Sequence, residues 1–379
     1  MGLRVFQFLI AVVTTFSTIA AFAAAPIKIG GLFAVTGPAA FLGEPERNAA
    51  KMVVDEINKA GGVKGHKLEL VVYDTSGDAT KAVQLATKLI KDDHVTAIIG
   101  PSTTGESMAV IPVAEREQVP LISCAAGIKI TEPVKKWVFK TAQNDILAVG
   151  KIYEYLQKNK LSKVSILTVS DGFGASGREQ LKSLASKYGI SIVSDDTYGP
   201  KDTDMTAQLT KIRGSKVQAI ICWGTNPGPA VVAKNVRQLG IKTPLFMSHG
   251  VSSKKFIELA GEAAEGIKLP SGKVIVADML PASDHQKKSL MAFIKDYQRH
   301  YNAEGDHFGG HAWDAVMLLK NAIEHGADSC ATIREHLENT HGFAGIGGVF
   351  NYSVQDHAGL NKDAFVLVEV RKKGWAIVK

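Results

Sequence analysis

Short apolar segments rich in β-branched residues alternate along this chain with longer segments of helical periodicity. The pattern predicts strands near residues 27–32, 68–73, 95–99, 120–123, 164–169, 190–194, 217–222 and 244–247. It predicts helices near residues 44–61, 78–90, 107–118, 146–159, 178–188, 205–213, 229–239, 284–301 and 312–325. Most of the strands are apolar on both faces, which is typical of parallel sheets covered by helices. The sequence therefore predicts an α/β fold with right-handed crossovers.

The first 25 residues have the order of a secretory leader. Arg4 lies in a short basic start, residues 6–22 are mostly apolar, and alanines follow at positions 21 and 23–25. A membrane anchor is the alternative, but the apolar stretch is shorter than the roughly 20 residues of a spanning helix and contains several Ser and Thr residues. We therefore expect cleavage near residues 23–25 and a mature protein outside the cytoplasm.

The length and charge of the remaining chain limit its organisation and its partners. About 355 residues are too many for one ordinary core, so two lobes are expected. The formal net charge of +7 is spread along the chain, without a basic stripe interleaved with aromatic residues. Nucleic acid is therefore not expected as a partner. A mildly basic surface instead favours anionic ligands through electrostatic steering.

The loops after the predicted strands are the expected binding edge, because ligands of open parallel sheets bind at the carboxyl ends of strands. These loops are residues 33–43, 100–105, 123–131, 170–177, 223–228 and 248–253, and they are rich in Gly, Ser and Thr. The chain has no G-x-S-x-G, H-E-x-x-H or P-loop motif. We therefore expect binding rather than catalysis.

Neither the cysteines nor the histidines have metal-ligand spacing. Cys124 and Cys222 lie in or beside apolar runs and are expected to be small buried residues. His307 and His311 would share one helix face, where a structural or surface role is the usual one. We expect no metal and no cofactor.

Residues 172–177 (GFGASG) fit the G-x-G-x-x-G pattern of dinucleotide-binding loops. They follow a predicted strand, precede a helix, and have Asp195 and Asp196 about 20 residues further on. The motif nevertheless lies in the middle of the chain rather than in the first βα unit, and nicotinamide cofactors are not supplied to exported proteins. We therefore predict a tight turn that brings a helix N-terminus to the cleft.

Several segments along the mature chain carry a family pattern. They are residues 29–43 (IGGLFAVTGPAAFLG), 58–65 (NKAGGVKG), 99–105 (IGPSTTG), Phe173-Gly174 with Gly177, and 259–266 (LAGEAAEG). Together and in this order, they resemble the periplasmic branched-chain amino-acid binding proteins. Those are the type I solute-binding proteins of ABC transporters.

This resemblance implies the fold of type I periplasmic binding proteins, with two Rossmann-like lobes, a ligand cleft between them and three crossovers. The predicted lobes comprise residues 26–145 plus 273–351, and residues 146–272 plus 352–379, after a signal peptide at residues 1–25. The resemblance also implies an inner-membrane ABC permease as partner, closure of the lobes around the ligand, and no catalysis. We expect a monomer.

The resemblance places the anchor for a ligand carboxylate at Thr104, through its hydroxyl and backbone N–H. The sequence supports this, because Gly100 and Gly105 flank a loop at a helix start, where converging N–H groups favour an anion. An ordinary N-cap is the alternative role of Thr104. The other predicted lining residues are Phe41, Leu42, Thr103, Ala125, Ala126, Gly127, Phe173, Thr225, Asn226, His249, Gly250 and Phe308.

Some of these lining residues have a specific expected role. Ala125 would offer backbone polar groups, and Phe173 would cover the ligand from the second lobe. Core packing is the alternative for Phe308, as it is for Trp313.

Two positions depart from the amino-acid binders of the family. Those proteins usually have Thr at the position of Gly127 and Glu at that of His249, and both residues hold the α-ammonium of the ligand. Gly127 has no side chain, and His249 can accept only one hydrogen bond. A buried ammonium without acceptors is costly. We therefore predict a carboxylate ligand without an α-amino group, such as an aromatic or other bulky apolar acid. A solvent-facing loop position is the alternative for His249.

Other functions stay open on the sequence alone. The ligand could be a branched-chain or other apolar amino acid. The same fold could serve as a sensory ligand-receiver, which has the same cleft but a different partner. An exported α/β enzyme is the third class, and it would need a catalytic group in the cleft.

Overall fold

The computed structural model describes residues 24–378. Its first sheet has five parallel strands in the spatial order β2-β1-β3-β4-β5. They are β1 (Ala24–Phe33), β2 (His66–Asp74), β3 (Ala97–Ile99), β4 (Leu121–Ser123) and β5 (Val138–Lys140). The three central strands β1, β3 and β4 are almost entirely buried, because helices cover both faces of the sheet.

The second sheet has seven strands in the order β14-β13-β10-β9-β8-β6-β7. Its strands are β6 (Lys163–Val169), β7 (Ser191–Tyr198), β8 (Ala219–Trp223), β9 (Leu245–Met247), β10 (Lys268–Gly272), β13 (Phe365–Arg371) and β14 (Gly374–Ile377). Between β10 and β13 the chain forms a separate two-stranded hairpin of β11 (Phe343–Ala344) and β12 (Val349–Phe350). β13 and β14 are antiparallel to their neighbours, whereas β6 to β10 pair in parallel.

Helices connect most of the strands, as expected for α/β units. They are α1 (Ala40–Lys59), α2 (Ala79–Lys91), α3 (Thr104–Glu117), α4 (Asp145–Lys158), α5 (Gly172–Ala185), α6 (Thr206–Gly214), α7 (Gly228–Gln238), α8 (Lys254–Ala260), α9 (Lys287–Tyr301), α10 (His307–Glu324) and α11 (Cys330–Glu338). α10 packs against α1, so the late helices return to the core of the first sheet.

The chain passes between the two sheets three times: after β5, after β10 and before β13. The first crossing contains Lys140, whose buried ammonium donates to the Ala126 carbonyl at 2.6 Å and to the Asn144 side chain at 2.7 Å. These crossings lie beside residues 145/146, 272/273 and 351/352, which we propose as the lobe boundaries.

Several helices begin earlier than the sequence predicts. α1 starts at Ala40, so Pro45 lies inside the helix rather than in its first turn. The burial of Met52, Val53 and Ile57 in the core compensates for the hydrogen bond that Pro45 cannot donate. α5 and α10 also begin well before residues 178 and 312, and both are capped by an aspartate that accepts a backbone N–H. These extensions bring additional side chains to the cleft.

The prediction for the two cysteines is confirmed, since Cys124 and Cys222 are buried thiols. The predicted leader lies almost wholly outside the described residues. Between residues 24 and 378, no helix is both long and apolar enough to span a membrane. Over the same residues, no group of three or more His, Cys, Asp or Glu is arranged to hold a metal ion.

Candidate functional site

A cavity of about 340 Å³ lies between the two sheets, at the carboxyl ends of their parallel strands. This volume is at the small end of the roughly 300–1,000 Å³ of small-molecule sites. All of the predicted site residues line it except Phe41 and Gly127. The ones that do are Leu42, Thr103, Thr104, Ala125, Ala126, Phe173, Thr225, Asn226, His249, Gly250 and Phe308.

The predictions for Phe41 and Gly127 as lining residues are wrong. Phe41 instead packs edge-to-face on Phe308, with 5.7 Å between the ring centroids, and so supports the wall from behind. Gly127 lies behind Thr104, and a Cβ atom there would overlap the methyl group of Thr104. Because that space is filled, a side chain at position 127 could not reach the cavity without displacing Thr104.

The N-terminus of α3 forms one wall of the cavity. Thr103 is its N-cap, and its hydroxyl and the Glu106 carboxylate form a reciprocal capping box. Thr104 is therefore not the cap but the first residue of the helix, so the alternative role considered for it is wrong. The N–H groups of Thr104 and Gly105 have no partner within the helix. The positive end of the helix dipole adds to them, so an anion is favoured here.

The Thr104 hydroxyl is oriented by a neighbour. Its oxygen accepts a hydrogen bond from the Gly127 N–H at 3.2 Å, which leaves its proton free for donation. The backbone N–H of Ala125 is not free for a ligand as predicted, because it donates a hydrogen bond to the Ser123 hydroxyl at 3.1 Å. Hydrogen-bond donors for a carboxylate therefore concentrate at Thr104 and the first turn of α3.

The N-terminus of α5 forms the opposing wall. Asp171 caps the helix by accepting the Gly174 N–H at 2.8 Å. Phe173 lies over the cavity and packs near Trp223 and His249, with ring centroids 5.8 and 5.4 Å away. Gly172 meets the other wall directly, since a Cβ atom there would lie only 3.2 Å from the Gly105 nitrogen. The two walls are therefore in contact, as in a closed cleft.

The glycines of the GFGASG motif are explained by packing. A Cβ atom at Gly174 would overlap the Val169 carbonyl, and one at Gly177 would overlap the Trp223 indole. Gly172 allows the close approach to α3. The predicted tight turn is wrong, because residues 172–177 are the first six residues of α5. The prediction that this segment brings a helix N-terminus to the cleft is confirmed, since Gly172 and Phe173 line the cavity.

Three histidines at the cavity form a feature that the sequence did not predict. His249, His307 and His311, here called the histidine cluster, all line the cavity and are 3%, 1% and 3% exposed. The rings of His307 and His311 lie 5.4 Å apart. The solvent-facing alternative for His249 is therefore wrong, and so is a surface position for the other two.

Burial makes this cluster neutral. It lowers the pKa of His307 to about 3 and lowers the pKa of His249 and His311 well below the ordinary value, and the neighbouring histidines and Lys140 act in the same direction on His249 and His311. Each ring then offers one donor and one acceptor. A neutral cluster does not repel a cation, but it provides few acceptors for one.

Most polar atoms of the cluster have no hydrogen-bond partner among residues 24–378. They are both ring nitrogens of His249, together with those of His307 and Nδ1 of His311, for which no bond of ordinary geometry forms. The backbone of Ser252 lies close to the His307 ring and that of Cys124 close to the His311 ring, so His249 is the least satisfied of the three. The amide oxygen and nitrogen of Asn226 are unpaired in the same way. A buried polar atom without a partner costs on the order of 1–3 kcal/mol. We therefore expect a solute bound in the cavity to form hydrogen bonds with these atoms.

Two carboxylates also line the cavity, and both are partly used by the fold. Glu106 belongs to the capping box of α3, and Asp171 caps α5. Burial raises the pKa of both carboxyl groups. A third, Asp145, is not in the lining. It accepts the Ser176 hydroxyl and lies 3.9 Å from Nε2 of His249.

We expect the free energy of unfolding to fall more steeply on acidification in this protein than in a His307→Asn variant. Burial lowers the pKa of His307 to about 3, against about 6.5 in an unfolded chain. Between these values the unfolded chain binds a proton that the folded chain excludes. Stability present above pH of about 6.5 is therefore lost as the pH falls toward 3, by up to about 1.4 kcal/mol per pH unit.

Urea unfolding at several pH values from about 7 down to 4 measures this difference. The comparison must be between the two proteins, because burial raises the pKa of Asp306 to about 7. That contribution has the opposite sign, being present at low pH and lost as the pH rises. Parallel curves for the two proteins would contradict a buried neutral His307.

With this geometry in place, the chain can be compared with known proteins. The sequence profile of a family described as periplasmic binding protein matches residues 26–374. The Leu/Ile/Val-binding protein BraC3 of Rhizobium johnstonii is 28% identical over 302 residues, which are 79% of this chain and 79% of that protein.

Solved structures agree with the fold. An extracellular ligand-binding receptor from Rhodopseudomonas palustris HaA2 matches with a TM-score of 0.88 and 28% identity, over 94% of this chain and 100% of that one. A branched-chain amino acid transporter substrate binding protein from Streptococcus pneumoniae, in complex with isoleucine, matches with a TM-score of 0.82 and 28% identity, over 93% of this chain and 99% of that one.

Proposed function

Because this chain belongs to the periplasmic binding protein family, and within it to the solute-binding proteins of the branched-chain amino acid ABC transporter type, we propose that its solute is a small carboxylate without an α-amino group. An aromatic or other apolar acid fits best. The observation that carries this proposal is the pairing of an anion-favouring helix end with a neutral histidine at the position expected to hold an ammonium.

The anion end is supported by three groups. The N–H groups of Thr104 and Gly105 have no helical partner, and the Thr104 hydroxyl keeps its proton for donation because its oxygen already accepts from Gly127. Charge-assisted bonds to a carboxylate are roughly twice as strong as neutral ones. These donors provide both affinity and orientation.

The ammonium end is poorly equipped. Gly127 lies outside the lining, and His249 is neutral and accepts one bond at most. An ammonium has three N–H donors, and burial without acceptors costs several kcal/mol. Phe173 and Phe308 instead give the cavity an apolar surface on both sides, where a ring or a branched chain gains on the order of 1.5–3 kcal/mol by burial.

The remaining parts of the proposal concern location and partners. We propose that the mature protein is a periplasmic monomer that delivers its solute to an inner-membrane ABC permease. Ligand would dock first on the α3 side, and the other wall would then close over it, since hinge closure is an established motion of such proteins. Closure would present both lobes to the permease in a fixed arrangement.

Matched ligand pairs that differ only in the amino group test the ligand class. By isothermal titration calorimetry, phenylpropanoate should bind about 100-fold more tightly than phenylalanine, a difference of roughly 2.7 kcal/mol. Isocaproate should likewise bind more tightly than leucine. The reason is that each amino acid brings a buried ammonium, for which His249 offers at most one acceptor and both lining carboxylates are engaged in helix capping.

Tighter binding of leucine than of isocaproate, and of phenylalanine than of phenylpropanoate, would overturn the proposed ligand class. The uncharged amide of phenylpropanoate serves as a control, because it has the same ring and chain without the anion. Its binding should be weak if the N-terminus of α3 recognises a carboxylate.

Binding of an amino acid is a second candidate, favoured by a specific observation. Asp171 and Glu106 line the cavity and could each accept a hydrogen bond from an ammonium beside the helix ends. Both carboxylates are committed to capping, and burial raises the pKa of each. The same calorimetric pairs distinguish this candidate from the first.

A further inference from the structure

The histidine cluster lies on the crossover side of the cavity. The Cβ atom of His307 is 3.4 Å from the Cβ position at Gly272, and Nε2 of His311 lies 3.4 Å from the side-chain oxygen of Gln143. Gly272 and Gln143 belong to two of the segments that cross between the sheets. Carboxylate recognition, by contrast, is concentrated at the N-terminus of α3. The cavity therefore has a second polar region.

This second region is polar but uncharged. Both nitrogens of His249 and both polar atoms of the Asn226 amide are unpaired among the described residues. His307 and His311 also lack bonds of ordinary geometry there, although the backbone of Ser252 and of Cys124 lies close to their rings. Burial keeps the three imidazoles neutral by lowering the pKa of each. Each neutral ring presents a donor and an acceptor, and the Asn226 amide presents both as well.

The chemistry of these atoms selects among ligand groups. A carboxylate only accepts hydrogen bonds and an ammonium only donates them, so either would leave half of these atoms unpaired. A hydroxyl group donates one bond and accepts others, and it carries no charge into a buried site. It is therefore the simplest single group that matches neutral imidazoles and a primary amide together.

We infer that the solute carries, in addition to its carboxylate, a hydroxyl group that binds at the histidine cluster. This inference rests on the proposed function and narrows its ligand class to hydroxylated apolar or aromatic acids. The cavity volume of about 340 Å³ is suited to such a ligand with a single ring.

Calorimetry with paired acids tests the inference. The probes are benzoate against para-hydroxybenzoate, and phenylpropanoate against its para-hydroxy and meta-hydroxy derivatives. At least one hydroxylated acid should bind about tenfold or more tightly than its parent, the difference expected when an uncharged site loses its matching group. The para-methoxy acids should lose this advantage, because a methoxy oxygen cannot donate.

A His249→Phe variant tests which residues are responsible. The His249 ring lies among Phe173, Trp223 and Phe365, with centroids 5.3 to 5.7 Å away, so phenylalanine fits this environment. The ratio of the two dissociation constants, hydroxylated to parent, should move to about one. Phe173→Leu is the matched control: it should weaken both acids and keep their ratio.

Each outcome has a definite meaning. Equal affinity of parent and hydroxylated acids in the unmodified protein overturns the hydroxyl inference but leaves the proposed function standing. So does tighter binding of the dicarboxylate terephthalate than of para-hydroxybenzoate. If the amino acids alone bind, the proposed function fails and the inference fails with it.

A pH series separates a hydroxyl from a second carboxylate. The ratio of the affinities of the hydroxylated and parent acids should stay constant between about pH 8 and 6, because the cluster remains neutral there. Burial brings the pKa of Lys140 and that of Asp145 to about 7, so a change in their charge in this range should affect both acids alike. A second carboxylate would draw a proton onto the cluster, and its binding would tighten as the pH falls. The groups that face the cluster are Lys140 and Asp145, both at the first crossing between the sheets.

Discussion

A Thr104→Val variant should bind phenylpropanoate about 10- to 100-fold more weakly than the unmodified protein. Valine keeps the shape of threonine but removes the hydroxyl, so the ligand carboxylate loses a charge-assisted bond, which contributes about 1.5–3 kcal/mol. The Gly127 N–H, which donates to Thr104 at 3.2 Å, loses its acceptor as well. Isothermal titration calorimetry measures the change in affinity.

Thr104→Ser provides the matched control for this variant. Serine restores the hydroxyl and the bond from Gly127 but not the methyl group, so affinity should return to within a few fold. The midpoint of thermal unfolding of each variant shows whether the fold is intact. If the valine variant binds the carboxylate as tightly as the serine variant, Thr104 is not the anchor.

A Gly174→Ala variant should lower the free energy of unfolding by about 3 kcal/mol, at the upper end of the effect of overpacking. The added Cβ atom would overlap the Val169 carbonyl at the end of β6, and backbone on both sides limits relaxation. Urea denaturation measures the loss. The substitution should lower stability because the Cβ atom collides with the end of β6 in the second sheet.

Gly214→Ala is the control, since Gly214 ends α6 and no heavy atom lies within 4 Å of its Cβ position. Its stability should be unchanged or higher by up to about 1 kcal/mol, because alanine reduces the entropy of the unfolded chain. Equal stabilities of the two variants would show that the first turn of α5 relaxes around alanine at position 174, contrary to the expectation.

Local chemistry made much of the fold predictable. The continuous apolar runs of β1, β3, β4 and β6 identified buried parallel strands, and Asp78 identified the start of α2. The family resemblance and the α/β class are confirmed by the profile match and by the solved relatives. The antiparallel strands β13 and β14 were missed. β13 pairs with β10, which lies far away in the chain, and β14 joins the sheet only through β13.

The candidate site was predictable where it depends on loop sequence. Thr104, Ala125, Phe173 and His249 were predicted from the family pattern, and the structure places each of them at the cavity. Phe41 was misplaced because neighbouring residues on a helix point in different directions. Leu42 faces the cavity, whereas Phe41 packs behind Phe308.

The histidine cluster could not be derived from sequence spacing. His307 and His311 are one turn apart on α10, which packs on α1 beside the first sheet, whereas His249 follows β9 of the second sheet. Their approach depends on how the two sheets face each other across the cavity. One local signal was available: Asp306 followed by Gly309 forms a helix N-cap, which would have extended α10 to include both histidines. The predicted start at residue 312 excluded them.

The contact of Gly172 with Gly105 has a consequence for the lifetime of the complex. With the walls this close at Gly172, we expect an acid the size of phenylpropanoate to leave only after they separate. The dissociation rate is then set by how fast the walls open rather than by the strength of each contact with the ligand. Solutes of quite different affinity would then dissociate at similar rates. A permease that separates the walls would control when the ligand is released.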